Sequence, residues 1–390
     1  MAKLIDITGK AISGEWGTDD TAGTGIPVLR TTNFTNEGVV NYENVITRII
    51  TKKNIEEKYL KHGDIIIEKS GGSDKQPVGR VIYFDGPVHT YLFNNFTGLL
   101  RVNDKEKWEA RYVFYSLFSN YRRGGTKPFE NRTTGLHNLK TDEYISNYEV
   151  KEISIEEQRY ICEKLDTICR IIKLRKGQIA KFDDLIKSRF VEKFGDPFTN
   201  PMKWDKWPLG KECGIITGNT PSRKVSAYYG DYIEWIKSDN INTPNAILTT
   251  AEEYLSEEGL KVGRCVDAGA ILMTCIAGSL GCIGNVAIAD RQVSFNQQIN
   301  GIIPRNNNVW FMYVLFELSK KGIQSSINMA LKGILSKGQL AEMEFIFPPI
   351  GLQNEFADFV AQVYKSKLAV QKSLTETQML FDSLMQQYFG

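Results

Sequence analysis

The chain has 390 residues, 42% of them hydrophobic and 24% charged, with a formal net charge of +2. Those are the proportions of an ordinary globular protein with room for two or three domains, each able to bury a core. No run of eighteen apolar residues is present, which argues against a membrane-spanning helix, and the start Met1-Ala2-Lys3-Leu4-Ile5-Asp6 lacks a signal-peptide profile, so a cytoplasmic chain is expected. The near-neutral balance also counts against a free-standing DNA binder, which is usually more basic on one face.

In chain order, residues 1–152 read as a first domain of mixed character. Strand-like runs at 26–29, 65–67, 80–84 and 98–102 are set off by glycine-rich turns, and 108–120 reads as a short amphipathic helix. Residues 153–196 follow as a long helix. Residues 197–349 repeat the order of parts, with strand-like runs at 232–236, 270–273, 285–289 and 301–303 before a helical 308–319. Residues 350–390 form a second long helix.

The two helices are copies of each other. Shifting residues 153–195 by 195 positions lays them without a gap on 348–390, placing Gln158 on Gln353, Leu185 on Leu380, Ser188 on Ser383 and Phe194-Gly195 on Phe389-Gly390. A self-match at fixed period dictates architecture. In the first copy Ile161, Leu165, Ile168, Ile172, Arg175, Ile179, Phe182 and Ile186 step by fours and threes. The second has Phe356, Val360, Val363, Lys367, Val370, Leu374, Thr377, Phe381, Leu384 and Tyr388. That 3.5-residue spacing keeps one apolar seam toward a partner helix. Forty or so residues at about 1.5 Å each make a rod on the order of 60 Å long. A seam of that length is buried most economically if the two rods lie antiparallel. The expected fold class is therefore α+β: two mixed α/β globular domains joined by two long antiparallel coiled-coil helices, with a pseudo-twofold repeat.

The globular domains share local signatures. Ile7-Thr8-Gly9 answers to Ile216-Thr217-Gly218, and Leu29-Arg30-Thr31-Thr32-Asn33 to Ile236-Lys237-Ser238-Asp239-Asn240. Gly63-Asp64-Ile65 answers to Gly269-Ala270-Ile271, Val78-Gly79-Arg80-Val81 to Ile283-Gly284-Asn285-Val286, and Phe93-Asn94-Asn95 to Phe295-Asn296-Gln297.

A search for chemistry finds no catalytic centre. Gly333 to Gly338 is followed by Gln339 where a phosphate-binding loop needs lysine, and Gly278, Gly281 and Gly284 are wrongly spaced for a dinucleotide fold. The methyl-donor signature of amino-methyltransferases is missing, since Phe347-Pro348-Pro349-Ile350 precedes a helix, where prolines are structurally expected. Asp64 and Glu68-Lys69 hint at a nuclease metal site but lack its spacing, and Asp64 and Lys69 read better as the flanks of an apolar strand. The six cysteines form no Cys-x-x-Cys pair and the three histidines are scattered, so no metal site is expected.

Groups suited to nucleic acid lie in loops. Arg122-Arg123-Gly124-Gly125-Thr126-Lys127 combines cations with backbone amides, as a phosphate clamp does, and Asn131-Arg132-Thr133-Thr134 follows. Thr31, Thr32, Asn33 and Asn94, with the Ser70, Ser73 and Lys75 loop, offer the side chains that read base edges. In the second domain Thr220, Ser222, Arg223, Lys237, Ser238, Asn240, Asn296, Gln297, Lys332 and Lys337 offer the same chemistry. Taken singly, each loop is better explained as solvated surface; their recurrence at matched places is what points to binding. Tyr228-Tyr229 and Trp235 read as packing groups.

With these features together the chain resembles the specificity subunit of a type I restriction-modification system. The likeness rests on the helix starts Glu156-Glu157-Gln158-Arg159-Tyr160-Ile161 and Pro348-Pro349-Ile350-Gly351-Leu352-Gln353, and on the ends Phe194-Gly195-Asp196-Pro197 and Tyr388-Phe389-Gly390. It rests too on Thr217-Gly218-Asn219-Thr220-Pro221-Ser222, followed by Trp235-Ile236-Lys237-Ser238-Asp239-Asn240-Ile241. The first helix start departs from the family in lacking its prolines, and Leu352 stands where glutamate is common. The resemblance implies a non-catalytic subunit with two target-recognition domains, each reading half of a split double-stranded DNA site, and helices that act as the ruler. It implies two methyltransferase subunits docked on the helices and motor-nuclease subunits joining the complex. S-adenosylmethionine, ATP and Mg would then sit on those partners, with no cofactor on this chain and no membrane. The rival readings are a coiled-coil scaffold carrying two ligand-binding domains without DNA, and a divergent DNA methyltransferase.

Overall fold

The computed structural model describes residues 1–52, 54–133, 136–327 and 333–390. Its contacts divide into two compact units, Met1–Leu174 with Ser373–Gly390, and Arg175–Lys372. Each unit therefore contains one globular domain and a segment from each long helix.

The two domains are built alike. In the first unit a four-stranded antiparallel sheet runs Ile12–Ser13, Thr97–Leu100, Ile65–Glu68, Val81–Tyr83. In the second, the corresponding order is Cys213–Thr217, Ile299–Pro304, Ile271–Thr274, Val286–Ile288. The strand Ile65–Glu68 opens with three apolar residues in a row, Ile65 to Ile67, because both of its faces are covered. Alternate side chains point opposite ways, so Ile65 and Ile67 enter the core beneath helix Ala110–Arg122 while Ile66 packs with Leu29, Phe84, Phe93 and Leu99. Ile271 and Met273 face helix Val309–Ser325 in the same way, and Leu272 the opposite core. A further sheet in each unit contains one parallel pair, Ile26–Leu29 beside Leu92–Phe93 and Ile233–Ile236 beside Val293–Phe295.

The strand register corrects one sequence match. Ser13 pairs with Gly98 as Thr217 pairs with Asn300, so Ile12-Ser13-Gly14 is the counterpart of Ile216-Thr217-Gly218. Ile7-Thr8-Gly9 is not, because Leu4–Thr8 is a helical turn that corresponds to Leu209–Glu212. Glycine is needed at both true positions. A Cβ on Gly14 would run into the carbonyl oxygens of Phe93 and Asn94, and one on Gly218 into those of Phe295 and Asn296. The other four matches fall on equivalent positions. The expected strand at the start of the Ser70 loop also extends further, since Ser70–Gly72 itself pairs with Leu136–Leu139.

Both long helices form, Ile155–Phe194 and Ile350–Phe389, each of 40 residues. Ser154 begins the first, its hydroxyl accepting from the Glu157 N–H at 3.2 Å. Gly195 ends it at φ +76°, in the left-handed region that glycine tolerates. Within the first unit Ile161, Leu165, Ile168 and Ile172 share a core with Leu374 and Phe381 of the second helix. Within the second, Phe182 and Ile186 share one with Phe356, Val360 and Val363. The early part of one helix thus meets the late part of the other, an antiparallel pairing. Ile179 and Val370 are half-buried. The seam also serves a purpose its period does not reveal: the same residues pack against Tyr112 and Tyr115 in the first domain and against Phe311 in the second. Phe190 stacks on Phe311 at 5.4 Å and meets Phe356 edge-on at 5.5 Å.

Two buried glutamines lock helix to domain. Gln158 Oε1 accepts from the Glu109 N–H at 2.9 Å, and its Nε2 donates to the carbonyls of Lys107 and Ile153, each at 3.0 Å. Gln353 repeats this with the Asn308 N–H at 2.9 Å and with Asn307 Oδ1 and the Pro348 carbonyl, each at 2.8 Å. Removing one partner of a buried bond exposes the cost of the group left behind. Gln158→Ala is expected to lower unfolding free energy by about 1–3 kcal/mol, and Gln353→Ala similarly, in denaturant titration followed by circular dichroism. A loss below about 0.5 kcal/mol in both would show that the clasp contributes little.

Candidate nucleic-acid interface

In each unit the carboxyl ends of the inner strands bring the polar turns to one rim. In the first, the parallel strands end side by side, and the Asn94 N–H donates to the Leu29 carbonyl at 3.0 Å. The central strand ends beside them, with the Lys69 and Ser70 N–H groups both donating to the Phe96 carbonyl, at 2.8 and 3.2 Å. Arg80 ties in the turn Thr31–Asn33, donating to the Thr31 carbonyl at 3.1 Å while its guanidinium grips Glu68 at 2.9 and 3.0 Å. Thr31, Thr32, Asn33, Ser70 and Asn94 are therefore brought together. Ser73 and Lys75 lie exposed on the following loop, where Ser73 Oγ accepts from the Gln76 N–H at 3.2 Å.

The second unit repeats the rim. The Asn296 N–H donates to the Ile236 carbonyl at 3.1 Å, and the Cys275 and Ile276 N–H groups donate to Gln298 at 2.7 and 3.1 Å. The Thr220 hydroxyl donates to Gln297 Oε1. Thr220, Lys237, Ser238, Asn240, Asn296 and Gln297 gather here. Ser222 and Arg223 are exposed on the adjoining loop, and Lys337 is exposed at the first position of Lys337–Glu342. Lys332 and Thr134 lie outside the described residues, and for Arg132 only the strand Glu130–Thr133 is described.

The asparagines have a different task from the one expected. Asn33 is 1% exposed, accepts from the Arg30 N–H at 3.0 Å and donates to the carbonyls of Asn41 and Glu43. Asn240 does likewise, accepting from the Lys237 N–H at 3.0 Å and donating to the Thr250 carbonyl at 3.0 Å and to Thr249 Oγ1 at 3.2 Å. Asn94 and Asn296 are buried as well, Asn94 Oδ1 accepting from Thr97 Oγ1 and Asn296 Oδ1 from the Gln298 N–H. A buried amide whose bonds are committed to the backbone shapes the turn and has nothing left for a base edge. Asn33 is committed in this way, while half-buried Asn240 and buried Asn94 and Asn296 also bond to side chains of their own turns; Thr32, Gln297 and the cations are exposed or partly exposed there.

The expected phosphate clamp is also corrected in part. Arg122 reaches Asp382 at 2.9 Å, and Arg123 donates to the Phe389 carbonyl, so both brace helix Ala110–Arg122 against the second long helix. Sequence shows the cations but not acceptors some 260 positions away. Lys127 remains exposed on the turn Lys127–Phe129.

Electrostatics around the rims is dominated by ion pairs. Arg223 donates to Glu253 Oε2 at 2.6 Å, and Lys237 to Glu253 Oε1. The Arg223 guanidinium lies over Tyr229 at 4.5 Å and over Trp235 at 5.1 Å. Trp235 is buried, as its reading as a packing group required. In the first unit Glu15 takes Lys52 at 2.7 Å and Lys58 at 2.5 Å. The bonded lysines hold the Glu15 carboxyl below the usual range, and Lys237 foremost does the same for Glu253. Sequence reading missed Glu15, Lys52, Lys58 and Glu253, because no local spacing links a carboxylate to cations 16 to 43 positions away. Two rim atoms, Arg30 Nε and Asn219 Oδ1, are buried without a hydrogen-bond partner among the described residues.

Asp64 and Lys69 flank the strand Ile65–Glu68, as expected. Asp64 is clasped by Arg101 at 2.6 and 2.7 Å and Glu68 by Arg80, which commits both carboxylates. Among the described residues no group of three or more His, Cys, Asp or Glu could hold a metal ion, and no helix is long and apolar enough to cross a membrane.

A family model described as the type I restriction modification DNA specificity domain matches residues 1–182 and again 201–377. The chain is 28% identical over 191 residues to a type I restriction enzyme specificity subunit of Haemophilus influenzae, covering 45% of this chain and 39% of that protein. It is 32% identical over 121 residues to one of Methanocaldococcus jannaschii, covering 30% of this chain and 27% of that protein. The matches thus span well under half the length of either curated relative. The fold is shared with the crystal structure of a type I restriction-modification S subunit from M. genitalium, at 14% identity and TM-score 0.62, covering 100% of this chain and 95% of that one.

If Arg123 is a brace rather than a phosphate contact, Arg123→Ala should leave the salt dependence of duplex DNA binding unchanged and cost roughly 0.5–1 kcal/mol of stability. A phosphate contact would instead flatten the plot of log affinity against log salt by about one unit, which is read directly in a titration across salt concentrations.

Proposed function

This chain belongs to the type I restriction modification DNA specificity family, and from that premise we propose that it recognises a split double-stranded DNA site, one half with each globular domain. The observation that carries this reading is the repeated rim: the same turns, on the same strand ends, in two domains whose exposed residues differ. Sites that read two unlike half-sequences require such a pair, since specificity varies in loops on a shared scaffold. Cations such as those at the rims are the groups that meet either phosphates or guanine, and Gln297 is of the type that pairs with adenine.

In this reading the long helices set the distance between half-sites. Half-sites on one face of B-DNA recur about every 34–36 Å, and a helix of 40 residues at about 1.5 Å each has the length to bridge one to two turns. The chain itself performs no chemistry. Two methyltransferase subunits, docked along the helices, would bring S-adenosylmethionine, and motor-nuclease subunits joining them would bring ATP and Mg.

Replacing residues 1–152 by another domain of this kind is expected to change one half of the recognised sequence and leave the other intact, as read by mapping methylated bases. A change in both halves would contradict independent reading. Insertion of residues within Lys173–Lys176 is expected to lengthen the tolerated gap between half-sites; an unaltered gap would remove the ruler.

A further inference from the structure

We infer that Glu253 is a specificity-determining residue, a counter-charge that withholds Arg223 and Lys237 from DNA phosphates so that they are delivered to base edges. This rests on the DNA-reading function proposed above. The geometry is that of a shared clamp. One carboxylate oxygen takes Lys237 and the other takes Arg223 at 2.6 Å. The main chain that carries Glu253 is tied to the neighbouring strand, its carbonyl accepting from the Trp235 N–H at 2.9 Å. The Arg223 guanidinium sits 4.5 Å from the Tyr229 ring centre and 5.1 Å from that of Trp235, two rings set edge to face, and remains 56% exposed.

A lone cation at this place would take the nearest phosphate, whatever the sequence. A fixed carboxylate between two cations repels a phosphate, yet tolerates an uncharged base edge that offers acceptors to Arg223, such as guanine O6 and N7, or a cytosine amino group to Glu253 itself. Discrimination of this sort comes from an element that penalises the wrong partner as well as one that rewards the right one.

The first domain has the same device from different residues. Glu15 sits between Lys52 and Lys58, and its N–H donates to the Phe93 carbonyl at 2.8 Å. The equivalent residue of the second domain is Asn219, whose N–H donates to Phe295 at 3.0 Å and whose carbonyl accepts from Trp235 Nε1 at 3.3 Å. Each unit therefore has a glutamate between two cations beside its parallel strand pair, Glu15 bonded to Phe93 of one strand and Glu253 to Trp235 of the other, with no sequence likeness between the two sets. At these places four cations are neutralised in part by two carboxylates.

The test compares wild type with Glu253→Gln, in complex with the methyltransferase partners, on a random-sequence duplex and on a duplex carrying the motif methylated in the host genome. The variant is expected to bind the random duplex about tenfold more tightly, with a salt slope steeper by about 1–2 units because two further phosphates are engaged. Its preference for the site-bearing duplex should fall. Unchanged random-duplex affinity and slope, or equal weakening on both duplexes, would overturn the inference and leave Glu253 a purely structural residue. The double variant Arg223→Gln with Lys237→Gln keeps the test independent of folding in the first variant. With the cations withheld from phosphates, it should leave the random-duplex slope unchanged and lower site binding; a slope flatter by 1–2 units would overturn the inference. Should wild type itself show no preference for the methylated motif, the DNA reading fails along with the inference. Preference in wild type that Glu253→Gln leaves untouched would sink the inference alone.

Discussion

Everything else depends on the burial of one apolar seam in two cores at once. A single helix of this length in water gains little from propensity and relies on packing along its face. Here that face is shared between a partner helix and a β-rich domain. Leu165 and Ile168 pack with Tyr112 and Phe381, and Phe190 with Phe311 and Phe356. The domains are equally dependent, since helices Ala110–Arg122 and Val309–Ser325 would expose their inner faces without the long helices. Gln158 and Gln353 then fix the join, because each binds the N–H of the residue just before the neighbouring helix from a buried position.

Such a join makes each domain a rigid head on its helical segments, and it leaves the opposite end of the sheet free to vary. The strand ends at that rim are held by conformation rather than by side-chain identity. Gly14 and Gly218 permit close approach to neighbouring carbonyls, and Asn33 and Asn240 tie down the turn that follows the parallel strand. With the backbone so constrained, exposed residues can differ between domains without disturbing the frame. They do differ: lysines around Glu15 in one, an arginine on an aromatic platform beside Glu253 in the other.

The helices were legible in the sequence because their signal is periodic and repeated. Forty residues of 3.5-spaced apolar positions, copied without a gap, leave little freedom, and the observed ends lie within two or three residues of expectation. Strands were legible where both faces are covered, as at Ile65–Glu68, and less so at their ends. The match between Ile7-Thr8-Gly9 and Ile216-Thr217-Gly218 failed because a tripeptide carries no register; only the pairing of Ser13 with Gly98 reveals the true counterpart. At the rims, sequence located the matched turns correctly and misjudged several side chains. Asn33 and Asn94 look like base readers until their burial is known, and Arg122 and Arg123 look free until Asp382 and Phe389 are seen beside them. Partners that distant in sequence leave no local trace.

The central claim, two unlike readers held by paired helices, is tested most directly by mapping methylated bases across the genome of cells with and without this gene. The account predicts a motif of two short specified halves separated by a fixed run of unspecified bases, methylated only when the gene is present. A single continuous motif, or a methylation pattern that does not change with the gene, would contradict it.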